Sequence, residues 1–269
     1  MHVNDDHTIA ARLAEVAGNV LLDLRRQVDE QIPPGESHDA RALRSRADSA
    51  AQRALASELS RLAPGDEVLS EEAADSPLRL TSERVWIIDP LDGTREYAER
   101  DGSGIWRDDW AVHVALWTRT GGLTAGAVSL PARGQMFHTG QAAPGLGRPG
   151  EPLRLAVSRS HPSPLVAAVI RELGAIPVPM GSAGVKAMAV ATGLADAYVH
   201  AGGQYQWDSA APVAYARHAG LFTSRIDGTE LTYNNVDLSV PDLIICHPEA
   251  TTRIQTAVVA ALVEEGLNS

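Results

Sequence analysis

The stretch Trp86-Ile87-Ile88-Asp89-Pro90-Leu91-Asp92-Gly93-Thr94 restricts the fold of this chain more than any other. Arg84 and Val85 lead into an apolar run, Trp86 to Ile88, short enough for a core strand. Asp-Pro and Asp-Gly are both breaker pairs, so the chain is expected to turn as that strand ends. Open sheets place their ligand sites at strand tips, and that is where Asp89 and Asp92 would sit. Two carboxylates with the Leu91 carbonyl between them form an all-oxygen donor set, which suits a hard cation such as Mg²⁺. Gly93 lets the backbone come close to a bound group, and the N–H groups after it can face an anion. Read locally, the same residues also fit a plain surface turn.

Composition narrows the partners. A chain of 269 residues with 44% hydrophobic content can bury a large core, as one big domain or two close-packed ones. A net charge of −11 argues against a polymeric nucleic acid and against an anionic membrane surface. No apolar run approaches membrane-span length, and the N-terminus lacks a signal-peptide pattern, so a cytoplasmic location is expected. The single cysteine, Cys246, excludes an intramolecular disulfide and reads as an inert core residue.

Along the chain, residues 6–30 carry Ile9, Leu13, Val16, Val20 and Leu24 at helical steps. A loop from Gln31 to Asp39, marked by Pro33-Pro34-Gly35, precedes a second helix expected from Arg46 to Leu62. Asp48 would fall in its first turn, where an N-cap or helix-dipole role is the local reading. A short strand, Val68-Leu69, runs into Ser70-Glu71-Glu72, again acids after an apolar strand. Arg95 to Asp109 reads as a polar loop holding an exposed aromatic, Trp106. Strands Trp110–Trp117, Leu123–Leu130 and Gln135–His138 then form an antiparallel meander, with His113 read as a satisfied core histidine.

Gly and Pro crowd residues 139–152, which makes this the boundary expected between two halves, 1–150 and 151–269. The second half alternates: strand Leu153–Ser158, helix Ser163–Leu173, strand Ile176–Pro179, helix Ser182–Ala191, strand Ala195–His200, helix Trp207–His218. That order implies an α/β layer beside a first half of α+β character. Asp208 follows a glycine pair at the start of a helix, where a simple N-cap is the plain alternative. Gly181-Ser182-Ala183-Gly184-Val185-Lys186 opens another helix with small residues and sets a lysine one turn in. That arrangement suits an anion, although a surface lysine would look the same.

Glu71-Glu72, Asp89-Pro90-Leu91-Asp92-Gly93-Thr94 and Gly203 to Trp207-Asp208, in this order, resemble the inositol-monophosphatase type of magnesium-dependent, lithium-sensitive phosphatases. The resemblance covers nearly the whole chain and implies the layered αβαβα sandwich of the sugar phosphatases. It implies that Glu71, Asp89 and the Leu91 carbonyl hold one Mg²⁺, and Asp89, Asp92 and Asp208 a second. A third ion would be held more loosely through Glu71, and Mn²⁺ is an alternative metal. Asp48 and Thr94 would activate water, while the Gly93 and Thr94 N–H groups hold phosphate.

Within the family, Ser158-Arg159-Ser160-His161 and Gly181-Ser182 with Lys186 are similar to the bacterial branch that acts on 3′-phosphoadenosine 5′-phosphate. The expected activity is removal of its 3′-phosphate, and that of the 5′-phosphosulfate, in sulfate assimilation. Ser158, Ser182 and Lys186 would contact the nucleotide, and Trp106 would stack on adenine. The alternatives are an inositol or fructose-bisphosphate phosphatase and, from another class, a non-catalytic metal or phosphate sensor. Residues 98–106 depart from the family by their length, and the resemblance admits a homodimer. The haloacid-dehalogenase type of phosphatase is disfavoured, because its aspartates lie two apart whereas Asp89 and Asp92 lie three apart.

Overall fold

A computed structural model describes residues 5–32, 36–160, 163–264 and 266. Pro33-Pro34-Gly35 and His161 lie outside the described residues. Two helices, α1 (Asp6–Gln31) and α2 (Ala40–Leu62), precede a sheet of five strands in the order β1-β2-β3-β4-β5. These are β1 (Glu67–Ser70), β2 (Arg84–Asp92), β3 (Ala111–Thr118), β4 (Gly122–Leu130) and β5 (Gln135–His138), with the one-turn helix α3 (Thr94–Tyr97) after β2. β1 is parallel to β2, and the rest form the expected antiparallel meander.

The second sheet has the order β7-β6-β8-β10-β9. It is built from β6 (Arg154–Ser158), β7 (Ile176–Met180), β8 (Ala197–Tyr205), β9 (Phe222–Ser224) and β10 (Ser239–Cys246). Its helices are α4 (Pro164–Leu173), α5 (Ala183–Ala191), α6 (Gln206–His218) and α7 (Thr251–Glu264). The proposed division near residue 150 falls between β5 and β6.

Side-chain alternation sorts these elements into layers. On β2, Trp86 and Ile88 face α1 and α2, whereas Val85 and Ile87 face a core shared with α5, α6 and the second sheet. On the far side, Leu155, Val157, Val199 and Ile244 pack against α4 and α7. The order is helices, sheet, helices, sheet, helices: the αβαβα sandwich. Both sheets bury a face on α5 and α6, so neither half can close its core alone.

Four segments differ from the sequence-based expectation. α2 starts at Ala40, because the Asp39 carboxylate accepts the N–H groups of Arg41 and Ala42 at 3.0 Å. Asp48 therefore lies in the helix interior and is not an N-cap. β2 does not end at Ile88 but continues through Asp92, and β8 runs through the Gly202-Gly203 pair. Trp106 is half-buried, not exposed: residues 98–106 fold back through an Arg100–Trp106 bridge onto α1. Cys246 is fully buried, as its apolar strand implied.

Candidate metal centre

Two aspartates three apart on a regular strand would point to opposite faces of the sheet. Here Asp89 pairs with His113 and Asp92 with Ala111, so three steps on β2 match two on β3. The extra residue is a bulge at Pro90-Leu91, and it turns both carboxylates to one side. Asp89 has the same parity as Val85 and Ile87, so this side is the central layer where α5 and α6 begin. α6 delivers Asp208 there from its first turn. One carboxylate oxygen from each of Asp89, Asp92 and Asp208 lies within 4.8 Å of the others.

Each of the three is held by one oxygen. Asp89 Oδ1 accepts the Leu91 N–H at 2.9 Å. Asp92 Oδ2 accepts the Gly184 N–H at 2.9 Å and the Ser182 hydroxyl. Asp208 Oδ2 accepts the Tyr205 N–H at 2.6 Å. Asp89 Oδ2, by contrast, is buried and has no hydrogen-bond partner among the described residues. A buried, unpartnered carboxylate oxygen facing two more carboxylates is unfavourable unless a cation is present. The all-oxygen set fits a hard divalent cation.

The electrostatics agree. Burial pushes the Asp89 carboxyl well above its usual range, and the neighbouring Asp92 and Glu71 push it further. Asp208 is raised to about 7 by burial and then by Asp92. Glu71 reaches about 7 through partial desolvation and the charges of Asp92, Glu72 and Asp48, against the lowering effect of its approach to Asp89. Glu71, exposed just past the end of β1, is thus within electrostatic reach of Asp89 and Asp92, and Asp48, within reach of Glu71, is raised to about 6 by desolvation and by Glu72 against the pull of Arg44. Asp48, Glu72 and Thr94 line an open cavity of about 400 Å³ together with Arg41 and Arg44. Gly93 takes φ +83°, and the Thr94 hydroxyl donates to the Leu91 carbonyl at 3.1 Å.

The residues expected to contact substrate lie in varied settings. Ser182, at φ +47°, caps α5 and is spent on Asp92. Lys186 is buried, and its ammonium donates to the carbonyls of Ser182 at 2.7 Å and Gly181 at 3.2 Å. It therefore holds the strained turn that positions Asp92. Ser158 lines a separate cavity of about 150 Å³ with Tyr198 and His200. Trp106 has the Arg100 guanidinium 4.2 Å and the Arg25 guanidinium 5.0 Å from its ring centre, and donates to Asp29. That ring is engaged by the protein itself.

Residue-by-residue reading missed a strap between the two halves. Asp109 accepts from Arg107 and Arg159 and from the Gly181 N–H at 2.7 Å. It also missed the setting of His113, which is fully buried as expected but not fully satisfied: it lies against Asp89 and Asp92, and its Nε2 has no hydrogen-bond partner among the described residues. The alternation Ala111, His113, Ala115 could have put it on the central face; only the β2–β3 register could have put it beside the acids.

The comparisons with known proteins follow the same lines. Residues 4–266 match the model of the "Inositol monophosphatase family". A Mycobacterium leprae protein named 3′-phosphoadenosine 5′-phosphate phosphatase is 44% identical over 255 residues, covering 91% of this chain and 90% of the relative. The Escherichia coli 3′(2′),5′-bisphosphate nucleotidase CysQ is 31% identical, covering 70% of this chain and 78% of its own. Among solved structures, CysQ from Bacteroides thetaiotaomicron superposes with a TM-score of 0.71 at 24% identity, covering 90% of this chain and 97% of that one. With its acidic centre, its layered fold and a match along nearly its whole length, this chain belongs to the inositol monophosphatase family.

Proposed function

We propose that this chain is a divalent-cation-dependent phosphomonoesterase that removes the 3′-phosphate of 3′-phosphoadenosine 5′-phosphate. The catalytic class is carried by one observation: three carboxylates within 4.8 Å of one another, one of them with an orphaned buried oxygen. The substrate is carried by the 44%-identical relative of that name. Like charges 4 Å apart repel by about 1 kcal/mol in water and about 4 kcal/mol at a partly buried site. A phosphate could not enter this cleft bare, so its sign must be reversed first.

Glu71, Asp89 and the Leu91 carbonyl would hold one Mg²⁺, and Asp89, Asp92 and Asp208 a second, with a looser third near Glu71. The bound cations would supply charge neutralisation and a lowered pKa for water. The chain's own groups do the rest. Asp48 accepts the proton of the attacking water, and its raised pKa of about 6 suits that task near neutrality. Thr94, tied to the Leu91 carbonyl, orients the water, and the Gly93 and Thr94 N–H groups face the phosphate oxygens. Attack from the Asp48 side would expel the 3′-oxygen on the Asp208 side, where a cation held by Asp208 would offset its charge until solvent returns a proton, an in-line displacement. The first half then supplies most of the ion-holding groups, and the second supplies Asp208 and, through Ser158, a nucleotide contact.

The test is phosphate release from 3′-phosphoadenosine 5′-phosphate, inositol 1-phosphate and fructose 1,6-bisphosphate, each with Mg²⁺ and with EDTA. Magnesium-dependent turnover that favours the nucleotide is expected. A preference for inositol phosphate would overturn the substrate. Tight binding without turnover would overturn catalysis in favour of a sensor.

A further inference from the structure

His113 sits on β3 with no exposure to solvent, on the face that meets α5 and α6. Its Nδ1 is 3.3 Å from the Trp207 carbonyl, the residue immediately before Asp208. Its Nε2, which has no hydrogen-bond partner among the described residues, packs 3.3 Å from Asp92 Oδ2, and Nδ1 is 3.9 Å from Asp89 Oδ2. The ring thus touches both segments that carry the three aspartates: the end of β2, with Asp89 and Asp92, and the start of α6, which packs between the two sheets.

The fit around the ring is close. A Cβ at Gly184 would lie 2.1 Å from His113 Nε2, so α5 approaches to a distance that only glycine permits. The Gly184 N–H, in the same turn, donates to Asp92. Ring, glycine and aspartate therefore form one packed unit, and little can shift without moving the others.

We infer that His113 is a positioning residue that fixes Asp208 against Asp89 and Asp92, by donating Nδ1–H to the Trp207 carbonyl and filling the space under Gly184. The consequence for function is affinity for the cation shared by Asp92 and Asp208. Groups that hold metal ligands in place typically contribute 10- to 100-fold to metal affinity. This inference rests on the metal-centre reading of the site.

Direct Mn²⁺ binding, followed by electron paramagnetic resonance and calorimetry without substrate, separates the two. His113→Leu keeps bulk but removes the donor, and should weaken Mn²⁺ binding by about 10- to 100-fold. His113→Asn places an amide N–H near the position of Nδ1 and should restore affinity to within a few-fold of the parent. Gly184→Ala should also weaken binding, and the shorter side chain at position 113 in a H113N/G184A double variant should relieve that loss. The double variant keeps the inference testable if His113→Leu fails to fold. Parent-like affinity in His113→Leu, equal losses in His113→Leu and His113→Asn, or no relief in the double variant would overturn the role of His113. No Mn²⁺ binding by the parent protein would instead overturn the metal-centre reading.

Discussion

On the β2–α6 side of the acidic cleft, Asp89, Asp92 and Asp208 each have one oxygen fixed by a backbone N–H, leaving the other oxygen for a ligand. On the α2 side, Asp48 and Glu71 carry no such backbone donors among the described residues, and Asp48 opens on a cavity beside Arg41 and Arg44. The first arrangement is pre-organised and desolvated; the second is open and free to adjust. The difference separates two tasks. Holding a cation needs ligands that do not relax, whereas handling a water molecule and its proton needs access to solvent.

The contrast can be broken by substitution. Asp89→Ala removes the most buried carboxylate and the one assigned to both ions. Activity should become undetectable at saturating Mg²⁺, with Mn²⁺ binding lost in calorimetry. Asp48→Ala should lower kcat by about 10²- to 10⁴-fold, the range for loss of a general base, while Mn²⁺ binding stays near the parent value. Comparable residual activities in the two variants would end the division of labour.

A smaller effect sharpens the electrostatic side. Without cations, burial and mutual repulsion hold Asp208 and Glu71 at about 7 and push Asp89 well above its usual range. These carboxyls are raised in the folded state, so between about pH 4 and pH 7 it binds more protons than the unfolded chain. The stability they contribute is fully present below the unfolded values, near pH 4, and is lost as pH rises through the folded ones. In EDTA, Tm should fall across that window, and saturating Mg²⁺ should flatten the slope. An unchanged slope with Mg²⁺ would place the ions elsewhere.

The smallest effect on activity is expected at Trp106. Its ring lies against Arg25 and Arg100, so Trp106→Ala should cost about 2 kcal/mol in stability, measured by urea unfolding, with KM unchanged. A raised KM would return the ring to the substrate.

How much of this was legible beforehand follows from where the signals lie. The apolar run before Asp89, the meander and the later alternation of strands and helices are local patterns, and they survive in the structure. Of the expected carboxylates, Asp89, Asp92 and Asp208 were legible through their motifs and converge in the structure. What escaped depends on register and long-range contact. The bulge at Pro90-Leu91 reconciles a three-residue spacing with a single face, and nothing local to Asp89 announces it. Lys186 looked like an exposed anion binder because its helix opens with small residues; only the packing of α5 buries it. His113 looked apolar by its neighbours, and its contact with Asp92 arises from strand pairing and the approach of α5.

The central claim is that buried carboxylates converge to hold divalent cations, with Asp89 common to them. Counting bound Mn²⁺ by equilibrium dialysis, in the parent protein and in Asp89→Ala, tests it most directly. The account requires at least two ions per parent chain and none held tightly by the variant. Unchanged Mn²⁺ stoichiometry in Asp89→Ala would contradict it.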